Sequence, residues 1–294
     1  MESSRLFSTI LFLYTIILSI SSIICTENNN NLVTDQAALF VFGDSLFDVG
    51  NNNYINTTTR SNFFPYGQTF FKFPTGRVSD GRLITDFIAE KAWLPLIPPN
   101  LQPGNSNSQL TYGVNFASAG AGALVETFPG TEVYKMGGRK FGFLNMGAYE
   151  CAPPSLILDP TNIGSCSKPV AELINLHNKK FPDALNRLQR ELSGFRYALH
   201  DYHTSLLDRI NNPSKYGFKV GQMGCCGSGP FRGINTCGGR MGQNYELCEN
   251  VNDYLFFDSS HLTEKAHQQI AELVWSGPPN VTGPYNLKAL FELN

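Results

Sequence analysis

Apolar runs of strand length alternate along this chain with stretches whose apolar residues recur at helical spacing, and two of the runs end in residues that carry chemistry. The first covers 37–42 and stops at Gly43-Asp44-Ser45; the last covers 254–257 and stops at Asp258-Ser259-Ser260-His261. Between them the pattern predicts a helix over 83–90, a buried strand over 112–117 that runs into Ser118-Ala119-Gly120-Ala121-Gly122, and a third strand over 140–145. An amphipathic helix follows over 170–192, with Leu173, Ile174, Phe181, Leu185, Leu188 and Leu192 on one side. Pro182 is expected to bend or divide it, because proline removes a helical hydrogen bond, and Gly194 closes it. A strand over 195–199, a short helix over 204–210 and a glycine- and cysteine-rich loop over 221–248 come next. The last helix, over 264–275, has Thr263 as its N-cap. Residues 48–60 read as a loop, and there is no internal repeat. Strands alternating with helices argue for a mostly parallel, three-layer α/β sheet.

The first residues change the picture of where the chain resides. Residues 6–24 are almost unbroken apolar sequence behind Arg5, and Cys25-Thr26-Glu27 ends the run. Its position and polar sequel favour a secretory signal over 1–25, with a membrane anchor as the competing reading. A single domain over 26–294 remains, with no stable membrane insertion after cleavage. Asn56-Thr57-Thr58 and Asn280-Val281-Thr282 fit the N-glycosylation pattern at Asn56 and Asn280. Removing Cys25 leaves six cysteines, an even number that suits disulfides in an exported chain. The simplest pairing joins Cys151 to Cys166, and Cys225 and Cys226 to Cys237 and Cys248. A zinc site is the weaker reading, because no Cys-x-x-Cys spacing or nearby ligand histidine accompanies the cluster. A net charge of −2 over 294 residues gives no electrostatic reason to expect a nucleic-acid partner.

A hydroxyl at the carboxyl end of a buried strand lies where open α/β sheets build their sites. Ser45 occupies such a place, and Asp258 stands three residues before His261. That spacing lets the carboxylate bond one imidazole nitrogen while the other faces the serine. Ser45, His261 and Asp258 are thus a candidate nucleophile, base and orienter; taken singly, each also fits a turn serine or a surface histidine. His177, His200, His203 and His267 lack such a partner pattern. Backbone N–H groups in the Gly120 segment are candidate oxyanion donors, although the same glycines suit close packing. The Gly-x-Ser-x-Gly signature of α/β-hydrolases is absent around Ser45. No cofactor or metal is called for.

Several of these blocks together resemble the secreted plant-type branch of the GDSL esterase/lipase family, within the SGNH hydrolases. They are Phe42-Gly43-Asp44-Ser45-Leu46-Phe47-Asp48-Val49-Gly50-Asn51-Asn52, Pro74-Thr75-Gly76-Arg77-Val78-Ser79-Asp80-Gly81-Arg82, Gly113-Val114-Asn115-Phe116-Ala117-Ser118, Gly137-Gly138-Arg139-Lys140-Phe141-Gly142, Asp258-x-x-His261 and Gly283-Pro284-Tyr285-Asn286-Leu287. The resemblance implies a flavodoxin-like α/β/α sandwich and hydrolysis of lipid or small acyl esters through Ser45, His261 and Asp258. The N–H groups of Ser45 and Gly120 would be the oxyanion donors. An acyltransferase would use the same triad.

The resemblance also carries a departure. The family's Gly-x-Asn-Asp block, which would supply a third oxyanion donor from a central strand, has no counterpart here; Asn252-Asp253 lies just before the last strand instead. The apparent internal deletion falls near 130–131 and would remove the strand beside Ser45, so a catalytically impaired scaffold is the alternative function. If the 140–145 strand moved into the gap, Asn145 would stand in for the lost donor. Two smaller departures are Ala148-Tyr149-Glu150, expected to alter its own turn, and Leu262 behind His261, expected to loosen the catalytic loop.

Overall fold

Residue alternation along one strand shows how the layers are built. In the computed structural model, which describes residues 37–122, 131–234, 236–237 and 244–293, β1 (Lys140–Leu144) runs parallel to β2 (Arg196–His200). The far edge of β2 carries β7 (Thr282–Pro284), antiparallel. Successive side chains of a strand point to opposite faces. On one face of β2, Ala198 joins the main core with Ile270, Ala271 and Val274 of helix α4 (Glu264–Ser276) and Leu287 and Leu290 of helix α5 (Leu287–Glu292). On the other face, Tyr197 and Leu199 pack with Phe141, Phe143, Phe181 and Leu185, the last two from helix α2 (Lys168–Glu191). Helices therefore cover both sides of the strands, the three-layer α/β arrangement that the pattern predicts.

A second parallel pair joins β3 (Val220–Gly224) to β6 (Tyr254–Phe256), and a small antiparallel pair joins β4 (Cys226–Gly227) to β5 (Glu246–Leu247). The segment ahead of Ser45 bridges in parallel to Asn115, through Leu39 N to Tyr112 O at 2.9 Å, Val41 N to Val114 O at 3.0 Å and Phe116 N to Val41 O at 2.7 Å. Helix α1 (Ile84–Lys91) and helix α3 (Tyr202–Asn211) complete the main core with Ile84, Phe87, Ile88, Leu206 and Ile210. The described residues from Ala38 onward form one compact unit.

Several expectations are corrected. Among the described residues no ladder joins the Val41 segment to β1, whose ladder is with β2, so β1 does not close the sheet beside Ser45. Helix α2 runs unbroken through Pro182, because Ile174 before it and Leu185 after it are both buried. The stretch expected to be a glycine-rich loop holds β3. Its glycines mark close backbone approach: a Cβ on Gly221 would lie 2.5 Å from Ile210 O, and one on Gly224 2.9 Å from Asp258 O. His200 ends β2 rather than following it. Strand β7 and helix α5 carry no periodic signal long enough to predict. Thr263 caps α4 as expected, accepting a bond from Ala266 N.

The cysteines pair as Cys151–Cys166, Cys225–Cys248 and Cys226–Cys237, which decides between the two arrangements left open for the second group. The signal segment 1–25, the 130–131 junction and the competing anchor reading lie, wholly or in part, outside the described residues. Among those described, no helix is long and apolar enough to cross a membrane.

The block around Arg77 ties the Ser45 region to α1. Arg77 Nε and Nη2 donate to Asp86 at 2.8 and 2.7 Å, both residues are buried, and Nη1 donates to Val49 O at 3.2 Å. Removing one partner strands the other charge in a dry interior. Arg77→Met is expected to cost about 3–5 kcal/mol, read as a fall in the urea unfolding midpoint at unchanged slope.

Candidate active site

The turn after the Val41 segment presents the serine. Asp44 O accepts the N–H groups of Phe47 and Asp48 at 3.2 and 3.1 Å, and Asp44 Oδ1 accepts Leu46 N at 2.9 Å. From the other end of the chain, β6 leads into a tight reversal closed by Phe257 N to His261 O at 2.7 Å and Thr263 N to Leu255 O at 3.0 Å. The two meet: Ser45 Oγ lies 2.8 Å from His261 Nε2. His261 Nδ1 lies 2.8 and 3.0 Å from the two oxygens of Asp258. With Nδ1 carrying the proton toward Asp258, Nε2 is free to accept from the serine hydroxyl.

Asp258 is fully buried, and Oδ1 accepts the N–H groups of Ser260 and His261 at 2.9 and 2.8 Å. Burial opposes its charge, but His261 and these donors outweigh that and hold the carboxyl below its usual range. Burial likewise pushes the His261 imidazole down, and the Asp258 charge overcomes it, leaving the ring above its ordinary value of 6.5.

A polar scaffold absent from the sequence-level expectations connects Ser45 to the Gly120 segment. Asp48 is buried; Oδ1 accepts Gly50 N and Asn51 N at 2.8 and 2.7 Å, and Oδ2 accepts Ala119 N at 2.9 Å. Burial raises its carboxyl above the ordinary range despite those bonds. Asn51 Nδ2 donates to Asn115 O and Ala117 O, both at 2.8 Å; Asn52 Nδ2 donates to Ala119 O at 2.8 Å; and Asn115 Nδ2 donates to Phe47 O at 2.7 Å. Residues 51–54, expected as loop, form a short 3₁₀ turn that aims these amides inward. Gly120, at φ +93°, and Ser45 both have backbone N–H groups without a bonded partner among the described residues. The available signal was amide-bearing residues directly behind a candidate nucleophile.

Ser79 and Asp80 hold the Asp258–His261 reversal from behind. Ser79 Oγ donates to Leu262 O at 2.9 Å, and Asp80 Oδ1 accepts Glu264 N at 2.8 Å. Leu262 is itself core, bridged to Phe256, so it fastens the loop it was expected to loosen. Tyr66 touches Asp258 directly, which no sequence pattern indicated.

Other expectations fall away from the site. Asn145 is committed elsewhere: Nδ2 donates to Asp201 Oδ1 at 3.0 Å and Oδ1 accepts His203 N at 2.9 Å, bracing the start of α3. His203 does have a carboxylate partner, Glu150, at 2.7 Å, which the linear spacing could not reveal. The altered Tyr149-Glu150 turn thus reaches beyond itself. His200 and His267 are buried, and desolvation drops them to about 4 and about 3. His177 is exposed on α2, and Asn56 and Asn280 are exposed as glycan attachment requires.

Asp48→Asn would turn an amide against the Ala119 N–H. A loss of about 1–3 kcal/mol in stability is expected from chemical denaturation, together with slower covalent labelling of Ser45 by a fluorophosphonate.

The chain is similar to known proteins along its whole length. The sequence profile of the family described as GDSL-like Lipase/Acylhydrolase matches residues 39–133 and 124–274, in two pieces that overlap. The chain is 59% identical over 376 aligned positions to GDSL esterase/lipase 2 of Arabidopsis thaliana, covering 100% of both chains. It is 60% identical over 370 positions to GDSL esterase/lipase 3 of the same plant, covering 98% of this chain and 99% of that one. A GDSL lipase of Tanacetum cinerariifolium is 40% identical over 345 positions, at 92% and 93% coverage. The first alignment is 82 positions longer than the 294 residues of this chain, being 376 in all.

Proposed function

The chain belongs to the GDSL-like lipase/acylhydrolase family, and on that premise we propose that it is a serine hydrolase cleaving lipid or small acyl carboxylic esters through an acyl-enzyme. The observation that carries the reading is the 2.8 Å approach of Ser45 Oγ to His261 Nε2, with the ring braced by Asp258. Nε2 takes the Ser45 proton as Oγ attacks the ester carbonyl. The resulting oxyanion is received by the N–H groups of Ser45 and Gly120. His261 then returns the proton to the leaving alcohol, and water, deprotonated by the same nitrogen, releases the acid. The names esterase and lipase borne by the relatives support an ester substrate of this class. Secretion fits the 1–25 segment, the exposed Asn56 and Asn280, and three disulfides of the kind that persist in oxidising compartments.

A second reading, an impaired scaffold, is favoured by one observation: among the described residues no ladder joins the Val41 segment to β1. With two backbone donors and no third among the described residues, the proposed enzyme is a slow one. Turnover about 10²–10³-fold below that of GDSL esterase/lipase 2 is expected on a common p-nitrophenyl ester, the usual effect of one missing oxyanion donor.

Fluorophosphonate labelling separates the two readings. Labelling of the parent and not of Ser45→Ala is expected; folded parent that stays unlabelled would favour the scaffold. Because Asp258 raises the His261 pKa, the acid limb of kcat/KM is expected above pH 6.5, with the rate falling as the base is protonated below it. A profile flat from pH 5 to 8 would exclude a histidine base.

A further inference from the structure

We infer that Tyr66 is a positioning residue for the proposed reaction, its phenol fixing the Asp258 carboxylate from a site fastened to the Cys226–Cys237 cross-link. The inference rests on the triad reading above, and no family block quoted for the chain contains Tyr66. Tyr66 Oη donates to Asp258 Oδ2 at 2.7 Å across 192 residues of sequence, and the tyrosine is 1% exposed. Its ring stands edge-on to Phe63 and Phe257, at centroid distances of 5.2 and 5.3 Å. The phenol oxygen also meets the Thr236 side chain and the Cys237 backbone, which join it to the cross-linked loop. Tyr66, Cys226, Cys237 and Phe257 share one buried cluster.

The distribution of donors around Asp258 explains why this contact matters. Oδ1 is held from inside its own reversal, by the N–H groups of Ser260 and His261. Apart from His261 Nδ1, Oδ2 is held by Tyr66 alone among the described residues. Turning about the Cβ–Cγ bond moves both oxygens together, so donors on Oδ1 and Oδ2 hold the carboxylate plane more firmly than donors on Oδ1 alone. The phenol on Oδ2 comes from 192 residues away and, by holding that plane, holds the direction in which the imidazole points. The phenol dipole also places its positive end beside Oδ2, which weakens the pull of Asp258 on a protonated His261. Asp258 and Asp44 act on the His261 ring, His267 of α4 lies near it, and Tyr149 lies near both Asp44 and Asp258. The neutral phenol of Tyr66 acts through Asp258.

Tyr66→Phe keeps the ring packing and removes the hydroxyl. The His261 imidazole, titrated by NMR, is expected to shift upward by about half to one pH unit. For the active enzyme, kcat falls about 10- to 100-fold with KM nearly unchanged, and the acid limb follows the imidazole. In an Asp258→Asn background the same change has little further effect, because the two residues act as one unit. Tyr66→3-fluorotyrosine, a stronger donor of nearly the same shape, should move the imidazole downward, and it serves if Tyr66→Phe does not fold. An unmoved imidazole in the folded variants, or effects that simply add in the double variant, would overturn the inference. Failure of the hydrolase reading looks different: the parent neither labels nor hydrolyses, while the titration still decides the role of Tyr66.

Discussion

A carboxylate sealed from solvent must be surrounded by donors, and that requirement organises this molecule. Asp258 has no exposed surface, and its charge survives because two backbone amides, an imidazole and a phenol all point at it. Meeting that demand draws together β6, the reversal behind it, the Tyr66 turn and the cross-linked loop. The histidine is oriented as a by-product, with its second nitrogen left facing Ser45. The alignment of Ser45, His261 and Asp258 is the consequence of neutralising one buried charge.

A second buried carboxylate, Asp48, plays the matching part on the Ser45 side. It gathers amides from Gly50, Asn51 and Ala119, so the serine turn and the Gly120 segment are fixed to each other. Asn51, Asn52 and Asn115 complete the frame by giving side-chain N–H groups to the carbonyls of Asn115, Ala117, Ala119 and Phe47. The chain thus builds much of its site from side-chain-to-backbone bonds, in the region where its ladders are sparse. Arg77 and the Ser79-Asp80 pair then bind this frame to α1 and to the Asp258–His261 reversal.

How much was legible in the sequence follows from what kind of signal each feature leaves. Strand β1, helix α4 and its Thr263 cap, and the Ser45, Asp258 and His261 constellation were readable, because periodicity and short spacing are local properties. Strand β3 was hidden by Gly221 and Gly224, whose role is to let backbones approach and which leave no apolar pattern. The continuity of α2 through Pro182 was hidden because anchoring at Ile174 and Leu185 is tertiary. Tyr66, and the pairing of Glu150 with His203, join residues far apart in sequence, and no local pattern points to either. Asn145 misled for the opposite reason: its place at the end of a strand was right, but α3 claims both ends of its amide.

The interrupted ladder has a colloidal consequence. Phe40 is 54% exposed, and its peptide groups have no bonded partner among the described residues, while Val41 beside it is stitched to its neighbour strand. A bare aromatic on an unpaired strand margin is a template onto which another extended chain can add. Lys140, by contrast, opens β1 with a charge that repels such additions. Among the described residues, Phe40 is therefore a point at which such an extended chain could add, whereas Lys140 guards the start of β1.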